Sequence, residues 1–142
     1  MSESKGTTRT GLAIAYHDMG YNCAQSVACA FTDRSGLDKE TLFRVTEGLG
    51  RGMGGMEGTC GAISAACVLA GLKYSSAHTE CPDSKAITYE ASQACLQDFL
   101  SRNKSLVCRE LRGEDTGNPL RSCPDCIRDA VRIIEEQLYA PE

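Results

Sequence analysis

Between Gly48 and Gly61 the chain reads Gly-Leu-Gly-Arg-Gly-Met-Gly-Gly-Met-Glu-Gly-Thr-Cys-Gly, so half of the protein's 14 glycines fall in 14 consecutive positions. This is the sharpest composition shift in the chain, and it separates helical patterns on either side. A plain connector needs few glycines, and this one has seven. The excess points to backbone that must approach another group closely, as bare N–H groups do around an anion or the sulfides of a metal cluster. The run is not a nucleotide loop. No Lys follows a suitable glycine pair as G-x-x-x-x-G-K-[ST] requires, and no strand precedes it as the dinucleotide fingerprint requires. Gly54, Gly55, Gly58 and Gly61 are the candidate contacts to a bound group, and the run ends by delivering Cys60.

The flanking segments carry helical periodicity. Leu12, Ala15, Tyr16 and Met19 recur at helical spacing and stop at Gly20. Asn22 can cap a second helix bearing Cys23, Val27, Ala30 and Phe31, which Ser35-Gly36 breaks. Asp38 opens a third, with Leu42, Val45 and Leu49 on one side. After the glycine run, Ile63, Ala66, Cys67 and Ala70 are in phase up to Gly71, in a helix small and apolar all round, which predicts a buried central element. Asp83 to about Arg102 reads as a long fifth helix, and Cys108–Arg112 as a short turn. The last helix begins near Cys123-Pro124 and carries the stripe Ile127, Ala130, Val131, Ile134 and Leu138. No run alternates with period two. The expected fold is all-α: a single-domain irregular or orthogonal bundle of about five to six helices over residues 9–142, preceded by a flexible start at 1–8.

Composition bounds the function. At 142 residues the chain has room for one domain and one core. Hydrophobic residues at 42% and charged residues at 24% are ordinary for a globular protein. A net charge of −4, no Trp and 6% aromatics argue against a nucleic-acid face. The longest apolar stretch, Ala62 to Leu72, is too short to span a bilayer, so no membrane partner is expected.

Nine cysteines are the chemical signal. The opening residues lack the apolar core of a secretory signal, and an odd number cannot pair fully, so a reducing, cytoplasmic setting is expected. Cys23, Cys60, Cys108 and Cys123 each fall at an expected helix start, where partial positive charge and unpaired N–H groups stabilise a thiolate or an anionic metal–sulfur cluster. Cys29, Cys67 and Cys95 lie inside helices, where a free cysteine packs as a small hydrophobe. Cys123-Pro-Asp-Cys126 is a C-x-x-C at a helix start. That spacing suits a thiol–disulfide couple or half of a zinc site, and the absence of a following His excludes covalent haem attachment. His17 and His78 read as surface or capping residues, and Met53 and Met56 as packing.

Tyr21-Asn22-Cys23-Ala24-Gln25-Ser26, Gly52-Met-Gly-Gly55 and Glu57-Gly58-Thr59-Cys60-Gly61-Ala62, with Cys108-Arg109-Glu110-Leu111 and Cys123-Pro124 before Asp129-Ala130-Val131, resemble the C-GCAxxG-C-C family of redox-active proteins. The resemblance runs from about residue 10 to 138, in the family's order and spacing. By motif the family's four cysteines fall on Cys23, Cys60, Cys108 and Cys123. The chain departs at Ala65, where the family has glycine, and Cys126 is an extra thiol. The resemblance implies a small helical redox or metal protein. A similar domain occurs in split-Soret cytochromes, where it is associated with an iron–sulfur centre.

Three functions follow as expectations. The first is electron transfer through an iron–sulfur cluster, 2Fe-2S or 4Fe-4S, held by Cys23, Cys60, Cys108 and Cys123, with a redox partner protein. The second is metal-free thiol–disulfide exchange by Cys123 and Cys126. The third is a four-cysteine zinc or soft-metal site. A small-residue helix face could also pair with a second copy.

Overall fold

The computed structural model describes residues 8–140. They form α1 (Arg9–Asp18), α2 (Cys23–Cys29), α3 (Thr32–Ser35), α4 (Lys39–Glu47), α5 (Gly50–Met53), α6 (Gly61–Tyr74), α7 (Lys85–Asn103), α8 (Cys108–Arg112) and α9 (Cys123–Gln137). The only β pairing among the described residues is an isolated antiparallel bridge, Thr59 to Val107. The fold is all-α, as the periodicity predicts. The six expected helices are α1, α2, α4, α6, α7 and α9, and α3, α5 and α8 are single turns between them. Of the expected flexible start, residues 1–7 lie outside the described residues, and Thr8 is the N-cap of α1, its hydroxyl accepting the Gly11 N–H at 2.9 Å. No helix among the described residues is long and apolar enough to cross a membrane.

Helix α6 is the centre of the molecule. Ala62, Ile63, Ala65, Ala66, Leu69 and Ala70 are fully buried along it. Its small side chains let α2, α7 and α9 pack directly against it. Ala65 sits inside this core without exposure, so the extra methyl at that position is accommodated. Helix α9 contributes the expected stripe, with Ile127, Ala130, Val131, Ile134 and Leu138 all buried, and adds Ile133. Asp129 on the same helix is also buried, and Arg121 satisfies it with two hydrogen bonds at 3.1 Å.

Two boundaries and one buried face differ from the sequence expectation. Helix α6 runs through Gly71 to Tyr74, because packing outweighs the modest helix penalty of one glycine. Helix α7 starts at Lys85 rather than Asp83. The Asp83 carboxylate accepts from the Ser76 hydroxyl at 2.5 Å and lies 3.0 Å from the His78 ring, so it closes the preceding loop instead of capping. Helix α4 turns Leu42 inward but leaves Val45 54% exposed.

Candidate functional site

Four separate stretches of chain deliver cysteines to one end of the bundle. Asn22 caps α2 by accepting the Gln25 N–H at 2.8 Å, and the Gln25 side chain accepts the Asn22 N–H at 3.0 Å. The Asn22 amide also donates to the Glu47 carbonyl at 2.9 Å, which ties the start of α2, and with it Cys23, to the end of α4.

The glycine run then folds into an unusual left-handed turn. Arg51, Gly52, Met53 and Gly54 all have positive φ, as does Met56. For Arg51, Met53 and Met56 this conformation costs about 1–2 kcal/mol per residue, so the surrounding contacts must impose it. Those contacts are tight. A Cβ on Gly52 would lie 2.5 Å from Cβ of Cys108, and one on Gly61 would lie 2.6 Å from Sγ of Cys23 and 2.9 Å from the Leu49 carbonyl oxygen. A Cβ on Gly50 would strike the Asn22 side chain at 2.4 Å. At Gly52 and Gly61 the close neighbour is thus a cysteine, and at Gly50 it is the Asn22 side chain.

The same loop zips onto the segment before α8. Cys60 N–H donates to the Leu106 carbonyl at 2.7 Å, and Cys108 N–H donates to the Gly58 carbonyl at 3.0 Å. This pairing brings Cys60, at the N-cap of α6, alongside Cys108, at the start of α8. Ser122 caps α9 by accepting the Asp125 N–H at 3.2 Å, which sets Cys123 at the start of that helix and Cys126 one turn in.

Cys23, Cys60, Cys108, Cys123 and Cys126 line a single cavity of about 180 Å³, together with His17, Asn22, Arg51, Leu111, Arg112 and Arg121. All five thiols are free. Cys60, Cys108 and Cys126 are buried, while Cys23 and Cys123 are partly exposed. Two groupings can be distinguished. The first runs Cys23–Cys60–Cys126. Contact with the Cys126 thiol, with burial adding to it, pushes Cys60 up to about 12 against a lowering effect of Cys23. Hydrogen bonding to Cys60, then burial, raises Cys23 far above the ordinary thiol range, although the Arg51 and Ala24 backbone N–H groups pull the other way. The second grouping is Cys108 and Cys123 around Arg112. Burial raises both thiols, and the Arg112 guanidinium partly offsets it in each.

The site chemistry is thus a set of soft sulfur donors whose protons are held by burial and by one another. Arginine charge and backbone N–H groups stand ready for negative charge once those protons leave. Among the described residues no three Cys, His, Asp or Glu side chains are already gathered about one point as a single-ion site.

The other candidates lie elsewhere. Gly54 and Gly55 are exposed, with open space where a Cβ would go, and stand away from the cavity. The Gly58 carbonyl holds Cys108, and the Gly58 Cα packs on the Met53 side chain. Cys29 and Cys95 are buried in the core, Cys67 is half-buried on α6, and Cys81 is exposed. His78 is a loop residue paired with Asp83, whereas His17, read as a surface or capping residue, borders the cavity. Sequence reasoning passed over Arg51, Arg112 and Arg121. For Arg112 a signal existed: it stands four residues after Cys108, one helical turn on and on the same face.

The family model described as "Putative redox-active protein (C_GCAxxG_C_C)" matches residues 21–137. A comparison with curated proteins and with solved structures found no match to this chain.

Proposed function

The chain belongs to the C-GCAxxG-C-C family, and from that membership and the cavity's donor set we propose that it is an electron-transfer protein whose Cys23, Cys60, Cys108 and Cys123 thiolates hold an iron–sulfur cluster. The observation that carries this reading is the convergence of thiols from α2, α6, α8 and α9 on one arginine-flanked cavity. Thiolates are the usual ligands of such clusters, and four suffice for either the two-iron or the four-iron form. When bound, the group would supply one-electron transfer.

The chain's own residues do the rest. Arg112 beside Cys108 and Cys123 offsets the negative charge that thiolates and sulfides would bring. The backbone N–H groups of Arg51 and Ala24 favour the charged form of Cys23, and that of Ala62 the charged form of Cys60, an influence of the kind that tunes a cluster's potential. The buried thiols keep their protons at neutral pH, so loading must displace them and is favoured as pH rises. Electrons would pass to a partner redox protein at the mouth of the cavity, where Cys123 and Arg112 are partly exposed. Free thiols of this number are suited to a reducing compartment such as the cytoplasm.

The test is anaerobic purification followed by iron, zinc and acid-labile sulfide analysis with a visible spectrum. Iron and sulfide together with brown colour are expected. A colourless protein that stays free of iron after anaerobic reconstitution overturns the reading, and stoichiometric zinc in its place would select the four-cysteine zinc site.

A further inference from the structure

The cavity wall carries fixed charge of one sign. Its lining holds the arginines Arg51, Arg112 and Arg121 and no Asp or Glu, in a chain whose net charge is −4. We propose that the mouth of this cavity is a docking surface for the acidic face of a partner protein, with the Arg51 guanidinium as its uncommitted charge. That the partner is a redox protein rests on the cluster reading; the surface and its charge preference do not.

The three arginines are not equivalent. Arg121 is engaged by the buried Asp129 through two hydrogen bonds at 3.1 Å. Arg112 lies 3.6 Å from the Glu114 carboxylate. Carboxylates of the adjoining segments are engaged in turn, Asp125 by Arg128 at 2.8 Å and Glu57 by Arg109 at 3.3 Å. Glu47 accepts from Gln25 at 3.3 Å and is not part of the lining. Arg51 is exposed, and among the described residues its guanidinium enters no ion pair. Its charge is therefore the one that neighbouring acids leave uncompensated.

The backbone fixes where that charge stands. Arg51 has φ of 55°, a conformation that a residue other than glycine holds only when its surroundings impose it. Gly50 and Gly52 on either side press so closely on Asn22 and Cys108 that neither has room for a Cβ. The Arg51 side chain thus leaves a pinned turn at the cavity's edge. Cys23 and Cys123, the partly exposed thiols of the cavity, share that lining. A cleft lined by one sign of charge focuses its field and concentrates the opposite sign at its mouth. A guanidinium with no partner of its own can take a carboxylate through two parallel hydrogen bonds.

The experiment reads the field at the mouth of the metal-free protein. Its thiols are labelled with two methanethiosulfonates of similar size, one bearing a sulfonate and the other a trimethylammonium group. A thiolate displaces methanesulfinate from either reagent and keeps the charged alkylthio group as a mixed disulfide. Labelling of Cys123 is timed by mass spectrometry and referred to 2-mercaptoethanol. The thiolate fraction is common to both reagents and cancels in their ratio. The anionic reagent should lead by about fivefold at low salt, and the preference should fade toward unity at about 0.5 M salt. Arg51→Gln should remove most of the preference, and Arg51→Lys should keep it. Hexaglutamate, a short carboxylate-bearing stand-in for the partner, should protect Cys123 from the uncharged methyl methanethiosulfonate at low salt, and hexalysine should not. Equal rates or a lead for the cation at low salt, an undiminished preference in Arg51→Gln, no protection by hexaglutamate, or no labelling of Cys123 by either reagent overturns the proposal. The salt series on the natural protein decides the matter even where Arg51→Gln fails to fold. None of these readings uses iron, so failure of the protein to load iron counts against the cluster reading alone.

Discussion

The start of α6 and the rest of the helix carry the same residue types to opposite effect. At its start, Cys60 faces other thiols in a cavity, and Gly61 is pressed so closely to Sγ of Cys23 that no side chain fits. Halfway along, Cys67 packs without a place in that cavity, and near the finish a Cβ on Gly71 would meet nothing within 4 Å. The far end is closed by ordinary means: the Lys73 ammonium donates to the Leu138 carbonyl, and Arg9 pairs with Asp33 at 2.6 Å. One end is over-determined by close contacts and left-handed backbone, and the other tolerates change. The candidate site lies at the end where the fold leaves least freedom.

Substitutions at the two ends should separate sharply. Gly52→Ala should be the most damaging, because its Cβ would collide with Cys108 at 2.5 Å on backbone with φ of 57°. Overpacking and a left-handed alanine together should cost about 3 kcal/mol, read as a fall in urea midpoint. Gly61→Ala follows, at about 2 kcal/mol by overpacking, and by pushing on Sγ of Cys23 it should also impair iron uptake. Gly71→Ala should reverse the sign and raise stability by about 0.5–1 kcal/mol, since a helix-interior glycine gains from a methyl group that clashes with nothing. A loss at Gly71 would break the comparison.

The smallest effect belongs to the exposed ion pair at the far end. Hydrogen bonding to Arg9 holds the Asp33 carboxyl below its ordinary value. A depressed carboxyl contributes stability above its unfolded pKa and loses it as pH falls through the folded one. Asp33→Asn should therefore cost less than about 1 kcal/mol at neutral pH and nothing once the natural protein's own carboxyl is protonated in acid. Thermal midpoints of both proteins across that range would show it.

Much of the scaffold was legible because its local signals agree. The α9 stripe, the Asn22 cap and the buried, apolar α6 each follow from periodicity or capping chemistry, and each is found in place. Gly71 misled because tertiary packing carries α6 past it, and Asp83 because its carboxylate serves a loop. At the site, the four motif cysteines were legible and do line one cavity. That Cys126 joins them on the cavity wall was not, because the sequence shows its spacing from Cys123 but not the approach of α6 to α9. Gly52 was passed over for Gly54 and Gly55, since composition marks a glycine run without telling which members face a neighbour.

The most direct measurement compares two cysteines on the same helix. Iron and acid-labile sulfide per chain would be determined after anaerobic reconstitution of the natural protein, Cys60→Ser and Cys67→Ser. The account predicts that the natural protein and Cys67→Ser load alike while Cys60→Ser fails to retain iron. Equal loading by both variants, or selective loss in Cys67→Ser, would contradict it.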